Sequence, residues 1–161
     1  MALGAGVGLV VLLADQASKA WILSVVPGHG PIELLPVLDL TLVMNKGITF
    51  GLFNGDTSVS ALLLVAVALV VVAALIVWMW RAESALVGAA IGAIAGGAVG
   101  NIIDRVRLGW VVDFIHAHIG AWQWYVFNVA DAAIVCGVAA LVLDGLWGRQ
   151  EKRIAADPPA R

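Results

Sequence analysis

The chain has 161 residues, of which 62% are hydrophobic and only 12% are charged, and its mean hydropathy is +1.01. Soluble domains usually carry about 25% charged residues, so this composition indicates an integral membrane protein. The net charge of −2 gives no reason to expect a nucleic-acid partner. The length predicts a single membrane domain over residues 1–161.

Hydropathy predicts four transmembrane helices, over about residues 3–26, 59–80, 85–103 and 126–147. Two long connections, over about residues 27–58 and 104–125, then share one side of the membrane. The basic residues near the membrane divide unevenly between its faces: Arg81, Arg149, Lys152 and Arg153 on one, Lys46, Arg105 and Arg107 on the other. Because cytoplasmic segments carry an excess of basic residues, this bias predicts cytoplasmic termini and outward-facing long connections.

The two long connections carry different patterns. In the first, apolar residues occupy alternate positions: Leu38, Leu40, Leu42 and Met44. A period of two predicts a half-buried strand, and residues 54–56 (N-G-D) predict a following turn. In the second, apolar residues between Val111 and Ile119 predict a short interfacial helix. The predicted fold class is therefore an all-α integral membrane protein with four transmembrane helices, a small extracytoplasmic β-sheet and a short interfacial helix.

The third predicted span contains a stripe of glycines at every fourth position: Gly88, Gly92, Gly96 and Gly100. Such a stripe permits either close helix packing or the close passage of another backbone. Of these two alternatives, packing is favoured. The single cysteine, Cys136, lies in an apolar run and is expected to be a small buried side chain.

Ionisable side chains inside a membrane protein are costly and therefore indicate function. Asp113 and Asp131 both lie in polar clusters, and two carboxyl groups held close together can share one proton and perform acid–base chemistry. Three pairs have helical spacing and so share a helix face: Asp15 with Lys19, Asn101 with Arg105, and Asn128 with Asp131. For Asp15 with Lys19, a buried structural contact is the favoured interpretation.

Rival functions are a small ion- or proton-coupled transporter subunit and a structural scaffold. A transporter predicts polar residues throughout the membrane depth, but the second span is wholly apolar and most polar residues cluster at the outer ends of spans three and four. That clustering favours surface hydrolysis. His116-x-His118 lacks the spacing of a metal motif, so we expect no metal site and no cofactor.

Five segments resemble the motifs of one family in order and spacing: residues 15–19 (D-Q-A-S-K), 45–51 (N-K-G-I-T-F-G), 96–106 (G-G-A-V-G-N-I-I-D-R-V), 111–114 (V-V-D-F) and 127–131 (F-N-V-A-D). The chain thus resembles lipoprotein signal peptidase, also called signal peptidase II, a bacterial membrane aspartic protease. The resemblance covers nearly the whole chain. It implies that Asp113 and Asp131 are the catalytic dyad.

The same resemblance implies a set of supporting motif residues: Asn45, Gly47, Gly97, Asn101, Asp104, Arg105, Asn128 and Ala130, with Asp15 and Lys19 in a second tier. It implies diacylglyceryl-modified prolipoproteins as substrates, cut just before the lipidated cysteine. It also implies globomycin-type inhibitors, contact with membrane lipids and a site at the outer face of the bacterial cytoplasmic (inner) membrane.

By residue type, the side-chain amides of Asn45, Asn101 and Asn128 can donate hydrogen bonds to a substrate backbone or to a developing oxyanion without adding charge. Arg105 stays protonated and suits a carboxylate such as Asp15 or Asp104.

Overall fold

The computed structural model of the protein describes residues 1–47, 57–120 and 122–156. This part of the chain forms four helices and four strands, in the order α1 (Ala2–His29), β1 (Ile32–Leu35), β2 (Leu38–Asn45), α2 (Thr57–Trp80), α3 (Ala85–Leu108), β3 (Val111–Ile119), β4 (Trp122–Gln123) and α4 (Val129–Ala156). Each helix contains a stretch long and apolar enough to cross a membrane, so the four predicted spans are confirmed. The last begins at Val129 rather than at residue 126.

The strands form one antiparallel sheet in the order β1-β2-β3-β4, which confirms the predicted sheet. The predicted interfacial helix is wrong, because the segment from Val111 to Ile119 is β3. β2 pairs with β3 from Leu38 to Asn45, so the backbone groups of β3 form hydrogen bonds across the sheet instead of within a helix. A short apolar run does not distinguish these two outcomes. The turn predicted at residues 54–56 lies outside the described residues.

A hydrophobic cluster fixes the sheet to α1. Ile22 and Val26 of the helix pack with Leu40 of β2 and with Val112 and Phe114 of β3, and all five are buried. Asp113 lies between Val112 and Phe114 in the chain, so this packing holds the Asp113 carboxyl group at the end of the helix bundle. Burial of each large apolar side chain contributes roughly 1.5–3 kcal/mol.

The glycine stripe of α3 packs directly against α1. A Cβ atom added to Gly92 would collide with the backbone oxygen of Gly4, and one added to Gly8 would lie 2.9 Å from the oxygen of Gly92. These contacts support helix packing over the passage of a substrate backbone. They also identify Gly4 and Gly8 as the facing surface, which the sequence analysis missed.

A leucine at Gly92 should therefore separate α1 from α3. We expect Gly92→Leu to lower the thermal midpoint or the membrane yield strongly, because the colliding atoms belong to a backbone that has no rotamer to change. Gly6→Leu is the matched control, since an added Cβ there meets no atom of the described residues within 4 Å. Thermal unfolding of both purified variants in detergent measures the difference, and equal midpoints would contradict this packing.

One expectation about α4 is also wrong. Cys136 is exposed on the protein surface rather than buried, because it lies on the apolar outer face of a membrane-spanning helix. In such a helix hydrophobic residues face lipid as well as neighbouring helices.

Candidate active site

Asp113 lies on β3 with only 2% of its surface exposed. Two amide groups hold its carboxylate. Asn45 Nδ2 donates to Oδ2 at 2.8 Å, and Asn128 Nδ2 donates to Oδ1 at 2.7 Å. Each carboxylate oxygen therefore has one fixed partner and retains a lone pair for a water molecule or a substrate.

Asp131 lies in the first turn of α4, where it forms a reciprocal cap with Asn128. The backbone N–H of Asp131 donates to Asn128 Oδ1 at 2.9 Å, and the backbone N–H of Asn128 donates to Asp131 Oδ2 at 3.3 Å. Asn101 Nδ2 donates to the other carboxylate oxygen at 2.8 Å. Since Asn128 contacts both aspartates, one residue joins the two carboxyl groups.

The two aspartates lie in different electrostatic environments. Burial raises the pKa of Asp113 above its ordinary value, and the charge of Asp131 adds to the rise, whereas the hydrogen bonds from Asn45 and Asn128 oppose it. Asp131 sits at a helix N-terminus, where the macrodipole favours a negative charge. The raised pKa favours a proton on Asp113.

A buried ionic cluster lies next to this pair. Lys19 Nζ contacts Asp15 Oδ2 at 2.8 Å, Asp104 Oδ2 at 2.8 Å and Asn101 Oδ1 at 2.9 Å. All three donor protons of the ammonium group are thus used. The contact with Asn101 fixes which end of that amide faces Asp131.

The same two carboxylates also hold backbone positions beside the catalytic candidates. The backbone N–H of Val112 donates to Asp104 Oδ2 at 3.1 Å, and that of Ala130 donates to Asp15 Oδ1 at 2.9 Å. Val112 and Ala130 immediately precede Asp113 and Asp131. The ionic cluster therefore sets the position of both aspartates through the main chain. The interpretation of Asp15 with Lys19 as a structural contact is supported, but the contact serves the site.

Arg105 does not make the contact expected from its type. Its Nη1 donates to the backbone oxygen of Asn101 at 3.2 Å, while Lys19 takes the carboxylates of Asp15 and Asp104. The three protons of an ammonium group point in different directions, so it can bridge two carboxylates and an amide. A guanidinium group is planar and directs its donors within one plane.

Gln16 is a site residue that sequence reasoning missed. Its Nε2 lies 3.1 Å from Asp104 Oδ1, 3.2 Å from Asp15 Oδ2 and 3.3 Å from the backbone oxygen of Gly100. The only signal in the sequence was its position directly after Asp15 in the D-Q-A-S-K segment.

Two glycines give the site its close geometry. Gly47 has φ of +72°, and its N–H donates to Asn45 Oδ1 at 2.8 Å, which leaves the Nδ2 group of Asn45 free to face Asp113. A Cβ on Gly97 would lie 2.6 Å from the oxygen of Ala130, so α3 and α4 meet there without a side chain between them. The N-K-G-I-T-F-G segment is described only as far as Gly47.

The asparagine amides contact the two aspartates. Asn45 and Asn128 donate to Asp113, and Asn101 donates to Asp131, so these groups orient the carboxylates. The predicted site residues come together around Asp113 and Asp131, with Gly97 contributing through helix packing.

Fold and site together define a class: a polytopic membrane protein with a paired-carboxyl site at one end of its helix bundle. The family described as "Signal peptidase (SPase) II" matches residues 7–147. The chain belongs to this family and is therefore a membrane peptidase, which confirms the resemblance noted in the sequence.

Relatives of similar length support this assignment. A lipoprotein signal peptidase of Methylobacterium sp. (strain 4-46) is 45% identical over 158 residues, which cover 97% of this chain and 96% of the relative. Another, of Methylorubrum extorquens (strain PA1), is 50% identical over 145 residues, which cover 86% of this chain and 85% of the relative.

Solved structures agree on the fold. A bacterial membrane enzyme determined by the in meso method at 1.9 Å resolution superposes with a TM-score of 0.80 at 27% identity, over 91% of this chain and 94% of that chain. A second, at 2.3 Å resolution, superposes with a TM-score of 0.77 at 24% identity, over 100% of this chain and 94% of that chain.

Proposed function

We propose that the protein is an aspartic endopeptidase that removes the signal peptide from diacylglyceryl-modified prolipoproteins, cutting just before the lipidated cysteine. The observation that carries this proposal is the pair of carboxyl groups, Asp113 and Asp131, joined through Asn128. Family membership and the name of the relatives support the substrate class.

In this mechanism the two carboxyl groups divide the acid and base roles. Ionised Asp131 takes a proton from a water molecule while the water oxygen attacks the carbonyl carbon. Protonated Asp113 donates its proton to the carbonyl oxygen. The tetrahedral intermediate collapses when the peptide C–N bond breaks. The leaving amine receives the proton held by Asp131, and Asp113 takes back a proton from a hydroxyl group of the intermediate as the carbonyl re-forms. No metal ion or cofactor takes part.

The supporting residues position these two groups. Asn45, Asn101 and Asn128 hold the carboxylate oxygens, while Asp15, Asp104 and Lys19 hold the adjoining backbone. Such pre-organisation is worth several orders of magnitude in rate when the reacting groups would otherwise move.

The site's position at the start of α4 suits a substrate that leaves the membrane at this point. We place the protein in the bacterial cytoplasmic membrane as one domain, with the sheet and both aspartates at the outer face and both termini in the cytoplasm. The acyl chains of the substrate then stay in the lipid while the peptide bond reaches Asp113 and Asp131. Globomycin-type inhibitors compete for the same site.

This orientation predicts the outcome of single-cysteine labelling in a Cys136→Ala background. A cysteine at Gln123, an exposed residue of β4, should react with an impermeant maleimide added to spheroplasts. A cysteine at exposed Glu83, between α2 and α3, should react only after permeabilisation. Labelling of position 83 from outside would show that the protein has the opposite orientation in the membrane.

The direct test is incubation of the purified protein with a diacylglyceryl prolipoprotein, followed by mass spectrometry of both products. We expect one cut, between the cysteine and the residue before it, and no cut of the unlipidated precursor. Intact substrate together with ion flux in proteoliposomes would instead favour a transporter subunit.

A further inference from the structure

A cavity of about 550 Å³ opens beside Asp113, and its described lining residues all come from the segments between the membrane helices. Its wall consists of residues 43–47, Asp113, His116 and residues 123–126. Among the residues that the structure describes, none from α1, α2, α3 or α4 contributes to this lining. The volume lies in the range of about 300–1,000 Å³ typical of binding pockets.

The position of the cavity determines which part of a substrate it can hold. Under the proposed function, the substrate has a signal peptide and two acyl chains in the membrane, and a mature chain outside it. Because this pocket touches one carboxyl group of the proposed pair and its described lining lies outside the membrane helices, it lies on the mature side of the scissile bond.

The chemistry of the wall favours particular residues. Tyr125 and Trp124 are 83% and 54% exposed and offer aromatic surfaces to a passing chain, and Trp122 supports Trp124 edge to face at 5.3 Å. Lys46 is an exposed cation on the same wall. His116 faces the carboxylate of Asp39 at 3.6 Å, which balances any charge it carries.

We propose that this cavity is the subsite for the first residues of the mature lipoprotein, those just after the lipidated cysteine. Lys46 favours acidic side chains there and disfavours basic ones, while Trp124 and Tyr125 contact the chain irrespective of sequence. The subsite rests on the proposed function and adds a substrate preference to it.

The test uses three synthetic diacylglyceryl substrates that are identical through the cysteine and carry Asp, Asn or Lys at the next two positions. At low ionic strength we expect kcat/KM to fall in the order Asp, Asn, Lys, with about a fivefold span, the size expected for exposed ion pairs. Added salt should compress the span.

Charge variants then assign the preference to one residue. Lys46→Gln should bring the three kcat/KM values together, and Lys46→Glu should invert their order. Arg107→Glu is the matched control, because Arg107 is exposed at the end of α3 but does not line the cavity, and it should keep the wild-type order. If Lys46→Glu leaves the order of the three kcat/KM values unchanged, or if Arg107→Glu inverts it equally, the proposed subsite is wrong.

A crosslinking experiment locates the chain directly. The substrate carries a photoreactive residue two positions after the cysteine and is bound to the Asp113→Asn protein, so that it is not consumed. Crosslinks to residues 43–47 or 123–126 support the subsite, and crosslinks confined to α2 or α3 contradict it. If wild-type protein cleaves none of the three substrates, the proposed function itself fails. Normal cleavage with no charge preference removes the subsite alone.

Discussion

Replacing either Asp113 or Asp131 by asparagine should abolish cleavage, with a loss of at least about 10³-fold in kcat. Asparagine keeps the size of the side chain but can neither hold nor accept the transferred proton. The double variant should lose little more than either single variant, because the two groups act as one unit. Measuring kcat and KM with a diacylglyceryl prolipoprotein for all three proteins tests this.

The structure also specifies the control that such variants need. Asn45 and Asn128 both donate to Asp113, so an asparagine at position 113 points its NH2 group at one of those donors. Thermal unfolding of Asp113→Asn must therefore be compared with wild type. A folded Asp113→Asn protein with more than about a tenth of wild-type activity would exclude the proposed acid–base pair.

The rate should depend on pH as a bell-shaped curve that reports the pair. Activity needs Asp113 protonated, so it is lost as pH rises through the raised pKa of Asp113. On the acid side it is lost when the pair no longer holds the negative charge that acts as the base. Asn45→Ala removes a hydrogen bond that lowers the pKa of Asp113, so the alkaline limb of this variant should move to higher pH. A limb that moves to lower pH would contradict the assignment of the proton to Asp113.

Much of the fold was predictable because a membrane imposes strong rules on sequence. Four apolar stretches of sufficient length indicated the four helices, and the period of two from Leu38 to Met44 indicated β2. β3 was not predictable in the same way. Its residues alternate poorly, and its strand conformation depends on pairing with β4 and with β2, a segment distant in the chain.

The site shows the same division between local and long-range information. Helical spacing placed Asp15 with Lys19 and Asn128 with Asp131, because those contacts lie within one helix or at its end. Spacing could not show that Lys19 also reaches Asp104, 85 positions away by residue number, on another helix. Nor could it show which partner each asparagine amide selects, since that depends on how α3, α4 and the strands β2 and β3 come together.

The buried ionic cluster leads to the second large expected effect, in Lys19→Met. This change leaves Asp15 and Asp104, which are 0% and 3% exposed, without their shared counter-charge. Breaking a buried ion pair by removing one partner typically costs about 3–5 kcal/mol. We expect a large loss of thermal stability or of folded protein in the membrane. Lys46→Met is the matched control, because that lysine is exposed and its loss should change the midpoint little.

A second substitution separates charge from loss of packing. If uncompensated charge is the cause, adding Asp104→Asn to Lys19→Met should recover part of the lost stability, since one buried carboxylate then remains instead of two. The activity of this double variant should stay about 10²-fold or more below that of the wild type. Asn101 has lost the Lys19 donor that turns its amide toward Asp131, and misplaced catalytic groups cost about that much in rate. Recovery of stability together with full activity would show that Lys19 serves the fold alone. A Lys19→Met protein as stable as wild type would show that the two carboxylates are compensated by other groups.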